Sequence, residues 1–418
     1  MARRQTTSES RVATPDRRLP TAERQVGLAD GRPDRRSALK ALAAAAVGAG
    51  VAGCATRHGA VLETTWRRFA PALVAPDRVT RTTVGLRPFR PSGFVVRGER
   101  FGEKLLVHNY GHGGSGITMS WGTAALAWEE AQQSEHRRAA VLGCGVIGLS
   151  TARLLQQRGW DVTIYAKDVP PNTTSNRAAG QWSPASAFDT RSPEFSVQFE
   201  RALRMSHRMF QDHIGTHYGV RWLENYVCQD REFGAGAQGS STNTADLYFE
   251  SKVLGPDEHP FPRKFVRRFT TLMVEPPTYL NALVHDYQLA GGRIVHRELP
   301  AREAIAALPE PVVVNCTGLG AKALFGDEEL TPVKGQLTVL LPQPEIDYIV
   351  LADNLYMMPR TDGILLGGTH ERGESSLEPN KDAMDQIVAG HASFFDAMTR
   401  SRSKLVIRPG LTSSPWRT

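Results

Sequence analysis

A chain of 418 residues with 41% hydrophobic and 22% charged positions has apolar material for a large globular core, which excludes a disordered or fibrous protein. The formal charge of +7 does not mark a nucleic-acid binder, because residues 1–53 hold ten Lys/Arg and five Asp/Glu and the remainder carries only +2. No basic stripe with interleaved aromatics follows. The four cysteines, Cys54, Cys144, Cys228 and Cys316, have neither zinc-type spacing nor a disulfide framework, so no metal is expected.

The amino-terminal stretch reads as an address rather than a fold. Residues 1–53 are rich in Arg, Ser, Thr and Pro as far as Arg35 and Arg36. With Leu39 and Lys40 these precede an alanine-rich run too short to span a bilayer core of about 30 Å. The run ends at Val51, Ala52, Gly53 and Cys54. The arginine pair resembles a twin-arginine export signal and the ending resembles a lipobox. Together they predict lipidation of Cys54 and an exported lipoprotein facing the periplasm or cell exterior, its membrane contact made through that lipid. Residues 54 to about 66 then read as a tether. Export of a folded chain suits a protein that takes up a nucleotide before crossing.

From Val79 to Gly116, short β-branched stretches broken by Pro and Gly predict several strands and turns. The segment ends in "VHNYGHGGSG", whose glycines at 111, 113, 114 and 116 precede a helical run, so its amides are aimed at a bound ligand. A helix is predicted from 117 to about 132, then a short linker. Residues 139–168 read as strand, turn, helix and strand, with Gly143, Gly145 and Gly148 spelling GxGxxG. The first glycine permits the turn, the second lets the backbone through Val146 and Ile147 approach a pyrophosphate, and the third lets helix pack on strand. Asp168 stands twenty residues past Gly148, where a ribose-binding acid belongs.

That motif leaves NAD or FAD open; the next stretch decides it. Thr173, Thr174, Ser175 and Asn176 offer short hydroxyls and an amide to phosphate oxygens, while Ala178, Ala179 and Gly180 let a flat ring lie close to backbone. A helix is predicted over 196–215, a strand near 267–277, and helix then strand over 278–299. Residues 311–326 read as a buried strand, a glycine turn at Gly318 and a helix. Short strands at 336–341, 346–351, 355–360 and 363–368 predict an antiparallel sheet.

With GxGxxG, the stretches "TTSNRAAGQW", "VVVNCTGLGAKAL", "LYMMPRTDGILLGGTH", "GLRPFRP" and "HNYGHGGSGITMSWG" give a chain that resembles the D-amino-acid oxidase family of flavoproteins over most of residues 64–400. The resemblance implies an α/β fold class: an FAD-binding Rossmann-like domain with a parallel sheet (64–190 and 290–335) and a substrate domain on an antiparallel sheet (191–289 and 336–400). It implies FAD as cofactor and oxidation of a D-amino acid to an imino acid, with oxygen or a quinone accepting the electrons and hydrogen peroxide formed from oxygen.

By motif position, Arg87 resembles the family's carboxylate-binding arginine and Tyr356 the tyrosine that shares that carboxylate. The Gly114 carbonyl is implied to accept from the substrate amine and Thr118 to hydrogen-bond the flavin pyrimidine oxygen. Gly113, Ser115, Gly116, Ile117, Trp182 and Gly318 join the other glycine-loop and hydroxyl residues as flavin contacts. Arg360, four residues past Tyr356, either pairs an acidic substrate side chain or merely sits on its strand. Ala185 stands where vertebrate members have a tyrosine, which widens the pocket. In the family the "GFRP" and "HNYGHGG" elements follow the substrate domain, whereas here they precede GxGxxG, which implies a circular permutation. Two other functions fit the same residues: oxidation of a secondary amine such as glycine or sarcosine, and flavin binding without turnover.

Overall fold

The computed structural model describes residues 69–234 and 244–406. Arg35, Arg36, the apolar run, Cys54 and the tether lie outside the described residues.

Two sheets face each other across the molecule. The first has six strands in the order β2 (Val95–Phe101), β3 (Lys104–Tyr110), β10 (Val312–Asn315), β4 (Arg138–Leu142), β5 (Asp161–Ala166) and β9 (Arg293–His296). Every pair from β3 to β9 is parallel, and β2 closes onto β3 as an antiparallel hairpin through Gly102. The composition explains the placement: "VVVN" in β10 is buried throughout, as a strand flanked and covered on all sides requires.

Helices α1 (Gly116–Ala131), α2 (Val146–Gln157), α3 (Pro193–Gln211) and α4 (Pro276–Leu289) share one apolar core with this sheet, built around Trp121, Leu149, Phe199 and Tyr279. Ser192 caps α3 by accepting from the Phe195 amide at 3.1 Å, and Pro193 occupies its first turn. Close approach of α1 and α3 depends on Gly122, where a Cβ would lie 1.8 Å from the Ala202 carbonyl oxygen.

The second sheet runs β1 (Val79–Phe89), β11 (Thr331–Leu340), β14 (Gly363–Gly367), β13 (Leu355–Arg360), β12 (Tyr348–Ala352), β6 (Val220–Gln229), β8 (Phe265–Val274) and β7 (Phe249–Leu254), with β15 (Glu371–Arg372) also pairing β11. It is antiparallel except where β12 runs parallel to β6. A short helix α5 (Gly320–Phe325) follows β10. The long α6 (Lys381–Val406) covers the outer face through Ile387, Phe394, Phe395 and Met398, packed with Tyr226, Val266 and Tyr348. The inner face carries Leu223, Met273, Leu337, Ile349 and Met358.

The placement of β1 corrects one boundary. It lies inside 64–190, expected in the nucleotide half, yet it pairs along its whole length with β11 in the nine-stranded sheet. Segment 79–131 therefore contributes to both sheets: β1 to the second, β2, β3 and α1 to the first. Residues 132–137 carry the chain from α1 into β4.

Candidate active site

A cavity of about 1140 Å³ lies between the sheets and is lined from both. Its volume exceeds what a small amino acid alone requires and suits a dinucleotide with a substrate beside it.

One end is built by the glycine turn. Gly143 has φ +104°, and a Cβ there would lie 2.5 Å from the Cys316 carbonyl oxygen. Gly145 opens α2 without any side-chain cap, so that the first-turn amides, those of Val146 and Ile147 included, border the cavity with no intrahelical partner. Ser175 accepts from the Val146 amide at 3.0 Å, which fixes the "TTS" stretch of Thr173, Thr174 and Ser175 against the helix start. Asp168 lines the mouth at the end of β5, while Lys167 pairs with Glu298 at 2.9 Å. Gly318 lines the cavity from the turn after β10, in the left-handed region at φ +58°. Ala179 and Gly180 border it on the far side, held by the Val274 amide donating to Gly180 at 2.8 Å. Phosphate-seeking amides, a hydroxyl cluster and an acid at the second strand thus fit the pyrophosphate and ribose of FAD.

The other end is built on the inner face of the second sheet. Arg87 on β1 and Tyr356 on β13 lie flat on this face because two glycines clear the floor beneath them. A Cβ on Gly335 would lie 2.4 Å from an Arg87 Nη, and one on Gly367 would lie 2.0 Å from the Tyr356 ring. The Arg87 guanidinium lies beside the Tyr356 hydroxyl and also donates to the Lys334 carbonyl at 3.5 Å. Burial raises the Tyr356 hydroxyl above the ordinary tyrosine value, opposed by the neighbouring guanidinium. Gly114 closes the site from the opposite wall, its α-carbon facing the Arg87 side chain and the Ala185 carbonyl. Gly113, at φ +57°, Gly116, Ile117 and Thr118 continue that wall into the start of α1. Behind it His112 is fully buried and hydrogen-bonded to Thr123 at 3.0 Å, and desolvation depresses it to about 3. The glycine loop therefore stands on a neutral support.

Four expectations are corrected, and Gly148 keeps only the packing role read for it. Arg360 is turned away from the cavity: Nε and Nη2 grip Asp362 at 2.7 and 2.5 Å, and Nη1 donates to Ala178. Ser115, Gly148 and Trp182 do not line the cavity. Ser115 donates to the His112 carbonyl at 2.7 Å, Trp182 is wholly buried beneath Ser183, and Gly148 packs α2 onto its own turn, where a Cβ would lie 2.0 Å from the Gly143 carbonyl oxygen. Thr118 lines the cavity, but its hydroxyl donates to the Ser183 carbonyl at 2.8 Å and accepts from the Ser183 amide at 3.0 Å. Its proton is committed there, so the donors this wall offers are the first-turn amides of α1.

Sequence reasoning missed Gly335, Gly367 and His370. Gly367 and His370 lie in a stretch used for recognition and Gly335 just before a predicted strand, but nothing local tells that a glycine serves as floor for a side chain on the neighbouring strand. His370 lines the cavity near Arg87, and burial together with the Arg87 charge lowers its pKa. Among the described lining residues the carboxylates are Asp168 and Glu298, at the far end from Arg87. Among the described residues no cluster able to hold a metal occurs, and no helix is long and apolar enough to cross a membrane.

The model of the DAO family, described as FAD dependent oxidoreductase, matches residues 55–129 and 138–415. The chain belongs to this family. It is 32% identical to a D-amino-acid oxidase of Rubrobacter xylanophilus over 66% of this chain and 82% of that protein. To a human D-aspartate oxidase it is 29% identical over 60% of this chain and 74% of the relative. The fold resembles that of a glycine oxidase from Geobacillus kaustophilus with a TM-score of 0.50, at 21% identity over 63% of this chain and 80% of that one. This member of the DAO family is thus an FAD-dependent oxidoreductase, with a parallel sheet in one half and a mostly antiparallel sheet in the other.

Proposed function

We propose that the chain oxidises D-amino acids. The observation that carries this is the convergence of Arg87 and Tyr356 over the Gly335 and Gly367 floor, opposite Gly114, with no carboxylate beside them among the described lining residues. A planar guanidinium and a phenol hydroxyl make a fork for the substrate α-carboxylate, and the Gly114 carbonyl accepts from its amine. With those two groups held, the remaining substituents of the α-carbon are fixed, which is how such a wall selects one hand of amino acid.

When bound, FAD supplies the acceptor for the hydride lost from the α-carbon and passes its electrons to oxygen or a quinone. The α-C–H bond breaks and a C=N bond forms as the amine gives up a proton. The imino acid then takes up water and yields a 2-oxo acid and ammonia, and oxygen gaining two electrons and two protons leaves as hydrogen peroxide. No side-chain base is needed near Arg87, provided that the amine is neutral when it reacts. With FAD bound, the backbone amides at the start of α1 would stabilise negative charge that develops beside the wall they line.

The same reading extends to the chain's architecture. Segment 79–131 is the family's last portion moved to the front by circular permutation, with 132–137 as the new join; its support is that β1 and β3 come first in sequence yet lie beside β11 and β10. The nucleotide half then comprises mainly 90–190 and 290–330, and the substrate half the rest. The leader exports the folded flavoprotein by the twin-arginine route and anchors it through lipidated Cys54.

The test uses residues 55–418 purified from the cytoplasm, with the visible flavin spectrum followed anaerobically. Bleaching by D- but not L-amino acids is expected. Bleaching by sarcosine or glycine alone replaces this substrate class, and a flavin that nothing bleaches removes the claim of catalysis.

A further inference from the structure

The clamp holds a carboxylate, but hydride leaves an amino acid only once its ammonium group has shed a proton, and few groups in the cavity can take it. Among the described lining residues the carboxylates, Asp168 and Glu298, stand at the far end, and the imidazoles are His112 and His370. His112 is committed to Thr123 behind the glycine loop. His370 stands exposed at the cavity wall.

A β-bulge aims His370 at the clamp. β11 pairs with β14 as far as Leu337 opposite Gly367 and with β15 from Lys334 opposite Glu371, so Gly335 and Gln336 face Gly368, Thr369 and His370. The Thr369 hydroxyl fills the irregularity by accepting from the Gln336 amide at 2.6 Å. Side chains alternate across a strand, so without the extra residue His370 would share the outer face with Gly368, where a Cβ would lie 3.5 Å from Ile387 of α6. With it, His370 and Arg372 return to the face of Arg87: Arg372 lies opposite Val333, and Val333 opposite Arg87. His370 therefore sits beside Gly335, the floor under the Arg87 guanidinium. Asp189 grips Arg372 at 2.8 and 3.1 Å, and the same loop rests Ala185 and Ser186 on Gly114, so the wall that receives the amine is tied to the segment that carries the histidine.

We propose that His370 accepts the proton that the substrate ammonium gives up, so that the Gly114 carbonyl holds a neutral amine when hydride leaves. One N–H bond of the ammonium breaks, its proton joins the imidazole nitrogen that was free, and the exposed ring passes it to solvent. Desolvation, then Arg87 and Arg372, lower the His370 pKa, and Asp189, itself paired with Arg372, opposes them. Lys334 and Glu371 face each other on the opposite side of the sheet, and the Tyr356 ring lies over Gly367. The imidazole is thus neutral in the free site. A substrate carboxylate on Arg87 cancels one of the charges that depress it, so its affinity for a proton rises as the ammonium arrives. The inference rests on the oxidase reading above for the identity of the amine, while the coupling of His370 to the clamp does not require turnover.

The experiment follows anaerobic flavin reduction by D-alanine from pH 5.5 to 9 in the FAD-loaded protein and in His370→Gln and His370→Ala. The wild-type rate is expected to be level from pH 7 to 9 and to fall below the ordinary histidine value of about 6.5, where the imidazole already carries a proton. His370→Gln is expected to be about 100-fold slower at pH 7, about tenfold slower at pH 8 and level with wild type near pH 9, because solvent then has to supply the neutral amine. Imidazole added to His370→Ala should restore part of the rate at pH 7. A loss that is the same at every pH, or no loss, overturns the proposal. Butyrate, a carboxylate with no amine, reads the coupling without turnover through the flavin absorbance shift. It should bind wild type roughly three- to tenfold more tightly at pH 6 than at pH 8, because its charge on Arg87 favours protonated His370, and binding to His370→Gln should stay level. That result supports the proposal even if D-alanine never reduces the flavin, in which case only the oxidase reading falls; equal pH dependence in the two proteins overturns it.

Discussion

The two halves of this molecule build their sites by opposite means. The nucleotide end is made of backbone contiguous in sequence: Gly143 to Gly148 turns the chain, opens α2 and aims its amides within six residues. The substrate end is made of groups far apart in sequence: Arg87 and Tyr356, brought together by strand register, and the backbone of Gly114 facing them. Contiguous sites fail when backbone is obstructed, whereas register-built sites fail by degrees as one side chain after another is displaced.

The largest expected effect tests the first half of that contrast. Gly148→Val places a branched side chain where a Cβ already meets the Gly143 carbonyl oxygen at 2.0 Å. The helix must leave its turn, and the purified protein is expected to show no visible flavin absorbance. Retention of full flavin content would mean that the turn is not the pyrophosphate seat.

Arg87→Leu probes the second half. Losing a buried charge-assisted carboxylate contact costs roughly 3–4 kcal/mol, so kcat/KM for D-amino acids should fall by about two to three orders of magnitude while flavin content stays normal. A parallel loss of flavin would erase the separation between the two halves.

Gly367→Ala is a finer cut at the same end. The new methyl would sit within the Tyr356 ring, which must lift from the floor by about an ångström. An intact fold with roughly 10- to 100-fold lower kcat/KM is expected, since small misplacements of an orienting group have that scale. Tyr356→Phe in the same background should then add little, because the hydroxyl is already out of place.

The smallest effect is on stability and belongs to both halves. His108, His112, His207, His213, His259 and His391 all have pKa values lowered chiefly by burial, His112 to about 3. Below the ordinary histidine value of about 6.5 the unfolded chain binds protons that the native one refuses. Stability therefore falls as pH drops, by up to about 1.4 kcal/mol per pH unit for each histidine. Thermal unfolding midpoints should hold from pH 8 to 7 and decline steeply between 6.5 and 5. His112→Gln should make that decline shallower.

Much of the first half was legible without coordinates. GxGxxG, the hydroxyl cluster through Ser175 and the buried "VVVN" strand announce themselves because their physics is local: positive φ, free helix amides and an unbroken apolar run. Arg87, Tyr356 and Gly114 were legible only through resemblance, since neither spacing nor periodicity says that β1 pairs with β11 or that Tyr356 lies over Gly367. Arg360 shows the hazard of reading along one strand. Four residues from Tyr356 it looked available, but Asp362 two residues on had already claimed it.

The amino-acid sequence by itself determined the nucleotide turn and the order of helices and strands, because each depends on neighbours along the chain. Only the tertiary structure decided which arginine a carboxylate claims, which glycines serve as floor, and that a loop early in the chain closes a cavity formed by strands more than two hundred residues later. Those properties follow from strand register and from the competition of carboxylates for guanidinium groups, both set by which surfaces meet after folding.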